Sequence, residues 1–314
     1  CYSATIDRKI INESKRKMTD LYSKFFGSSG TNDNPPDLFS FRRNNNINKT
    51  FSEDDYYSNI EALADNNVYP MRQKRGYLSI LFSIMQILIL LLMMIKGGLA
   101  PLNVNPMVGP YPETLDNWGA KDTEKIVHDG EWWRIFPCPV FLHAGVFHLL
   151  GNISVQLDMG AFFEREWGSL VWFIIYAGSG IGSSILSVCI IPDSISVGSS
   201  GAVCGLFGAK LAELLILKLN RYSSSTVEER IGHVIRREQL VHILINVVIV
   251  GAFSFIPFVD WAAHLGGFIS GITIGIVFFS CMIRQPVLLY SCVMVGIVLT
   301  ISVFSWGIRS MYGK

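Results

Sequence analysis

An all-α, polytopic membrane protein is the fold class that this 314-residue sequence predicts. Two observations carry it. Hydrophobic residues make up 50% of the chain and charged residues only 16%, which is too apolar for an ordinary soluble domain. The apolar residues are also gathered into membrane-length runs, and the basic residues cluster between them. The arrangement expected is seven membrane-spanning helices. Net charge is only +1, so bulk electrostatics give no reason to expect nucleic acid. Of the six cysteines, Cys189, Cys204, Cys281 and Cys292 lie in apolar runs, and there is no CxxC pair. That argues against a zinc site or a disulfide framework. No metal or cofactor is expected.

Residues 1–70 are polar and show no sustained apolar period, so they are expected to form a disordered, cytosolic tail. Sequons at Asn12 and Asn48 are silent if that tail is cytosolic. A start at Cys1 rather than methionine fits a chain incomplete at its N-terminus. The core is expected over 71–285. Met71-Arg72-Gln73-Lys74-Arg75 precedes the first run, 77–95, and places that end in the cytosol. A long first loop follows, 96–141, rich in proline and carrying Glu131-Trp132-Trp133-Arg134. Tryptophans beside arginine suit a headgroup-level anchor; an ordinary extracellular loop is the plainer alternative.

The second run, 140–163, is broken by His143, His148 and Asn152 and ends at Glu164-Arg165-Glu166. The third, 170–191, carries Gly178, Gly180 and Gly182. The fourth opens at Ser200 and continues to 217. Lys218, Arg221, Arg230, Arg236 and Arg237 then mark a cytosolic segment. The fifth and sixth runs are 240–256 and 261–282. Region 286–314 holds the seventh run, 287–306, and a short tail. Alternation puts the starts of the second, fourth and sixth runs on one side of the membrane.

That placement matters for chemistry. A histidine within hydrocarbon is costly unless it has a partner or a task. Ser200 and His264 lie at similar depth in helices running the same way. Gly198 and Gly201 flank Ser200 and permit a tight turn with close backbone approach. Gly201, Gly205 and Ala209 form one small face, and Gly267, Gly271 and Gly275 another. If these faces meet, as small faces of membrane helices do, His264 can accept the proton of a Ser200 nucleophile. His148 and Asn152 are four apart and share a helix face. With a backbone amide at Ser200 they form a candidate oxyanion hole; a His and an Asn that satisfy only each other is the alternative. His143, five residues earlier and nearer the surface, is expected to support the loop or the site. Asp260 is expected at the interface, not as a third catalytic member, so a dyad is predicted. Lys210 and Glu213, three apart, are expected to pair structurally.

Together these motifs resemble the rhomboid family of intramembrane serine proteases. The likeness covers about 131–275, with four elements in the family's order. Gly198-Ser199-Ser200-Gly201 is similar to the GxSG nucleophile motif. Ala263-His264-Leu265-Gly266-Gly267, with Gly271, is similar to the sixth-span base motif. His143 to Asn152 resembles the second-span signature, whose last His and Asn stabilise the oxyanion. Trp133-Arg134 resembles the Trp-Arg pair of the first loop, and Glu164 stands where the family often carries a glutamate. One departure is Cys204, where some members have a tyrosine stacked on the base. By this resemblance the first six spans form a six-helix core, and the added seventh helix at the C-terminus resembles the secretory-pathway type.

The resemblance implies an intramembrane serine endopeptidase in the bilayer that cuts within or beside the transmembrane helix of single-pass substrates. It implies a multi-pass protein of the secretory pathway or plasma membrane, with a cytosolic N-terminus and the site towards the lumen or exterior. The alternatives are a non-catalytic relative that binds transmembrane helices, and a channel or transporter. A channel calls for polar residues through the whole depth of the bilayer, whereas Ser200, His264, His148 and Asn152 all map near one side.

Overall fold

The computed structural model describes residues 72–219, 239–251, 260–283 and 285–313. The expected tail, 1–70, and its sequons lie outside the described residues, as does most of the basic segment after Lys218. The regular secondary structure of the described residues is helical, apart from one isolated bridge between Lys121 and Ser196.

Helix α1, Tyr77–Gly97, is patterned inside out. Its buried positions include Ser79, Ser83 and Gln86, while Ile80, Leu81, Ile84, Leu88 and Leu91 are exposed. Lipid is as apolar as leucine, so hydrocarbon side chains can face it and polar atoms must find partners inside. Gln156 supplies one, donating from Nε2 to Ser83 Oγ at 2.8 Å, and Gln86 donates to the Val140 carbonyl at 2.7 Å.

The first loop is more structured than its proline content predicted. It contains α2 (Pro112–Asn117), α3 (Thr123–Val127), a 3₁₀ turn at Trp132–Ile135 and α4 (Cys138–Phe141). These pieces are too short to show an apolar period. The second run begins later than predicted, at α5 (Val146–Val155), passes a π-turn at Gln156–Gly160 and ends in α6 (Ala161–Trp167). Trp132–Phe141 and Val146–Trp167 form a pair bent by 76°. Glu164 and Glu166, predicted to follow this span, are inside its last helix and both are buried.

Helix α7 is Ser169–Ile190, α8 is Ser200–Leu219, α9 is Gln239–Gly251, α10 is Trp261–Phe279 and α11 is Pro286–Tyr312. Among the described residues, four helices are long and apolar enough to cross a membrane, and the bent pair makes up to a fifth. The other two expected spans are helical as well. However, α8 carries Lys210, Glu213 and Lys218, and α9 is described only to Gly251. Helix α8 is buried on nearly every side and packs chiefly against α7 and α10. By contrast α11 lies outside, with Gly296 against Ile276 and Val277 and Gly307 against Ile185.

The α8–α10 contact is made by glycine. A Cβ on Gly267 would fall 1.9 Å from the Gly201 carbonyl oxygen, and one on Gly271 would fall 1.9 Å from that of Gly205. The two small faces that the sequence suggested are therefore in backbone contact, and Ser200 and His264 head the helices that make it.

Candidate active site

Ser200 is the first residue of α8. Ahead of it, Ser196 exchanges both backbone hydrogen bonds with Lys121, and Gly198 adopts φ +133°. Only glycine holds that φ without strain, and a Cβ there would also strike the His148 ring at 2.6 Å. The Ser199 carbonyl accepts the N–H of Val203 at 2.9 Å, so Ser199 rather than Ser200 stands in the cap position. Ser199 is fully buried, and its hydroxyl meets His143 Nε2 at 3.2 Å.

The hydroxyl of Ser200 faces α10. Its Oγ is 2.7 Å from His264 Nε2, a short distance for a neutral hydrogen bond and within reach for proton transfer. His264 is 8% exposed, one turn into α10. A Cβ on Gly201 would meet Ser183 Oγ at 2.3 Å, so glycine after the serine lets α7 close on the same point. Ser200, His148, Gly198, Cys138, Ser187 and Asp260 are among the residues lining a cavity of about 20 Å³, room for roughly one or two waters.

His148 is half-buried at the start of α5. Its Nδ1 accepts the Ala144 N–H at 3.4 Å, which assigns the proton to Nε2, the edge turned to Gly198. Asn152 is on the same helix face, but Nδ2 donates to the His148 backbone carbonyl at 2.9 Å. The His148 and Asn152 side chains thus do not pair with each other.

Three expectations need correction. His143 is not near the surface: it is 0% exposed, because the bend between α4 and α5 tucks it beneath the loop. Its Nδ1 lies 3.3 Å from the Phe141 carbonyl and its ring packs edge-on to His148. Arg134 is not an exposed anchor but is sealed in the loop. It donates from Nε to Glu131 at 2.5 Å and from Nη1 to the carbonyls of Asp116 and Ala120 at 2.7 and 3.0 Å. Trp133 lies over the guanidinium at 5.1 Å, and it is Trp132 and Trp133 that face outward.

Nor is Asp260 merely interfacial. Its Oδ1 accepts the Ala263 N–H at 2.8 Å, and Oδ2 accepts the hydroxyls of Ser196, at 2.7 Å, and Ser187. Lys121, which no sequence pattern marks, is 1% exposed. Its Nζ donates to the Ile191 carbonyl at 2.6 Å, and burial pushes the ammonium below the usual lysine range against the opposing charge of Asp260. Asp260 had a sequence signal, an aspartate three residues before a helical N–H; Lys121 had none.

Glu164 lies at the other end of the bent span from His148. Its carboxylate accepts from the backbone N–H groups of Leu78 and Ser79 and the Ser79 hydroxyl, each at 2.8 Å, from Ser169 Oγ at 2.6 Å and from Gln73 Nε2 at 3.2 Å. Helix α1 has no side-chain cap of its own, so a remote carboxylate satisfies its first-turn donors. Lys210 pairs with Glu213 at 2.7 Å as expected, and with Glu166 at 2.6 Å.

A serine hydroxyl bonded to an imidazole, at a helix start, beside a water-sized cavity, is an arrangement suited to acyl transfer. Residues 129–281 match the model of the Rhomboid domain. RHOMBOID-like protein 1 of Arabidopsis thaliana is 39% identical over 181 residues, covering 57% of this chain and 42% of that protein. Rhomboid-like protease 2 of Toxoplasma gondii is 32% identical over 185 residues, 58% of this chain and 59% of that one. Inactive RHOMBOID-like protein 8 of Arabidopsis thaliana is 35% identical over 169 residues, 54% and 44%. The chain spans about half the length of these curated relatives. The matched stretch contains every site residue from Trp133 to Gly271, and it is through this Rhomboid domain that the chain resembles the rhomboid family.

Proposed function

We propose that this multi-pass membrane protein is an intramembrane serine endopeptidase, with Ser200 as nucleophile and His264 as general base. The observation that carries the reading is the 2.7 Å contact between Ser200 Oγ and His264 Nε2 beside a small cavity. Ser200 Oγ attacks the scissile carbonyl carbon as its proton passes to His264 Nε2. The carbonyl oxygen becomes an oxyanion, met by amides at the start of α8 and by His148 Nε2–H. Collapse breaks the C–N bond, and the imidazolium gives its proton to the leaving amine. Water, deprotonated by the same imidazole, then hydrolyses the Ser200 ester and restores the enzyme. Asn152 joins the oxyanion donors through its second amide N–H, since the first is held by the His148 carbonyl.

Substrates in this reading are single-pass membrane proteins cut within or beside their transmembrane helix. A helix hides its carbonyls in hydrogen bonds, so helix-weakening residues near the cut favour turnover. The basic cluster before Tyr77 supports a cytosolic N-terminus, which puts Ser200 towards the lumen or exterior of a secretory or plasma membrane. A tail over 1–70, a core over 71–285 and an added helix over 286–314 complete the reading. His143, Gly198, Gly201, Gly267, Gly271, Trp133, Arg134 and Glu164 support the site without touching substrate.

A second reading, a non-catalytic helix-binding protein, draws on the likeness to a relative named inactive. Fluorophosphonate labelling in detergent separates the two. Labelling that disappears in Ser200→Ala and His264→Ala supports the protease. A folded wild type that stays unlabelled beside a labelled rhomboid control supports the binder.

A further inference from the structure

Each half of the Ser200–His264 pair depends on a different segment. His264 rides on the first turn of α10, and Ser200 follows the 192–199 segment that leaves α7. The hydrogen bond at 2.7 Å exists only if these segments keep register to within a few tenths of an ångström. Glycine contacts hold α8 and α10 together, up to Gly201 against the Ala263 carbonyl, but they do not reach residues 192–196, whose path needs an anchor of its own.

One side chain touches all three pieces. Asp260 immediately precedes α10, and Oδ1 accepts the Ala263 N–H at 2.8 Å, fixing the turn that carries His264. Oδ2 accepts Ser196 Oγ at 2.7 Å, four residues before Ser200, and also the hydroxyl of Ser187 on α7. From the opposite side, the Lys121 backbone pairs with Ser196 at 2.9 and 3.3 Å. Ser196 is therefore clamped between the first loop and the start of α10. Asp260, Ser187, Ser196 and Ser200 all line the same cavity.

We propose that Asp260 is a positioning residue of this site, its carboxylate locking the His264 turn of α10 to the Ser196 segment that delivers Ser200. The inference rests on the protease reading for its catalytic consequence; the clamp itself does not. Asp260 acts through Ala263 N–H, Ser187 and Ser196 and makes no contact with the scissile bond. Alanine removes every acceptor at once. Asparagine keeps Oδ1 for the Ala263 N–H and offers an amide that the two serine oxygens can accept, since a hydroxyl both donates and accepts.

The test uses the full chain purified in detergent, comparing wild type, Asp260→Ala, Asp260→Asn, Ser196→Ala and the Asp260→Ala/Ser196→Ala double variant. Fluorophosphonate labelling rate, kcat and KM on a transmembrane peptide, and thermal midpoint are all recorded. Asp260→Ala should lower labelling rate and kcat by about tenfold to a hundredfold, the scale of a misplacement near 1 Å, with KM within about threefold. Asp260→Asn should return most of that rate. The thermal shifts of Asp260→Ala and Ser196→Ala should be clearly less than additive, because both break one link. A folded Asp260→Ala that labels at the wild-type rate overturns the proposal, as does an asparagine variant no better than alanine. Should wild type itself fail to label, the protease reading falls. The thermal cycle then decides the clamp alone: additive shifts reject it and non-additive shifts retain it.

Discussion

Gly267→Ala is the sharpest perturbation of the proposed dyad that leaves both of its members untouched. The added Cβ would stand 1.9 Å from the Gly201 carbonyl oxygen and 2.7 Å from its carbon, where ordinary contact begins near 3.4 Å. Neither atom is a movable side-chain tip, so α8 and α10 must part by about 1.5 Å or shear past each other. Gly201 follows Ser200 directly, and Gly267 is three residues from His264, so little of that displacement is absorbed before it reaches the pair. A separation of 2.7 Å becoming roughly 4 Å is no longer a hydrogen bond. The expected loss in kcat/KM is about a hundredfold, carried by kcat. Overpacking should cost about 1–3 kcal/mol of stability, which leaves folded protein to assay. The assay is cleavage of a fluorogenic transmembrane peptide in detergent, with labelling rate and thermal midpoint measured on the same samples. Gly151→Ala is the control, because nothing lies within 4 Å of its added Cβ. That variant should keep full activity and gain up to about 1 kcal/mol from helix propensity. A folded Gly267→Ala within about threefold of wild type would refute the idea that backbone contact holds the dyad.

Two further predictions concern the polar residues away from Ser200. Glu164→Ala removes an acceptor from five donors and strands the Leu78 and Ser79 amides and the Ser79 hydroxyl, since Gln73 and Ser169 keep each other, and it should lower stability by about 3 kcal/mol or more in a thermal melt. Glu164→Gln should fall between; equal losses in the two would remove the capping account. Lys210→Met leaves the Glu166 and Glu213 carboxylates facing each other without the cation that bridges them, at a cost of about 3–5 kcal/mol. Adding Glu166→Gln and Glu213→Gln should recover much of it. Lys210 is ten residues along α8 from Ser200, roughly 15 Å at helical rise, so labelling per folded molecule should not change.

The sequence carried the spans and the meeting of the two glycine faces because both follow from periodic, local rules. Hydrocarbon length sets the runs, and a four-residue spacing of small residues sets one helix face. The Ser200–His264 pairing was readable as well, since equal depth and parallel direction narrow the options to a few. What escaped depends on bends and long-range partners. Nothing near His143 announces that a 76° turn will bury it, and Trp133-Arg134 reads as an interfacial pair until the Asp116 and Ala120 carbonyls appear. Glu166 joins Lys210 from 44 positions away. Ser179, Ser183 and Ser187 recur every fourth residue, but that spacing alone has no single meaning. The structure makes it a hydroxyl-bearing face turned towards α8 and the cavity, with Gly201 and Gly205 against it.

A bilayer protein cannot leave polar atoms idle, so the presence of polar residues inside it does not by itself mark a reactive site. Saturation separates the cases. At Glu164 five donors converge on one buried carboxylate, which leaves it little capacity to bind or react with anything else. At Lys210 the ammonium is held between two carboxylates and two aromatic rings. These clusters are anchors that fix helix ends. At Ser200 the hydroxyl meets a proton acceptor, not a saturating shell, and opens on a cavity of about 20 Å³. The scaffold around it is rigid where it can be: glycine backbone contact on α10, the Asp260 carboxylate, and the sealed Arg134 loop. A nucleophile needs that combination, a fixed base and an unfilled approach. Among the polar clusters described here, the Ser200 site combines the two.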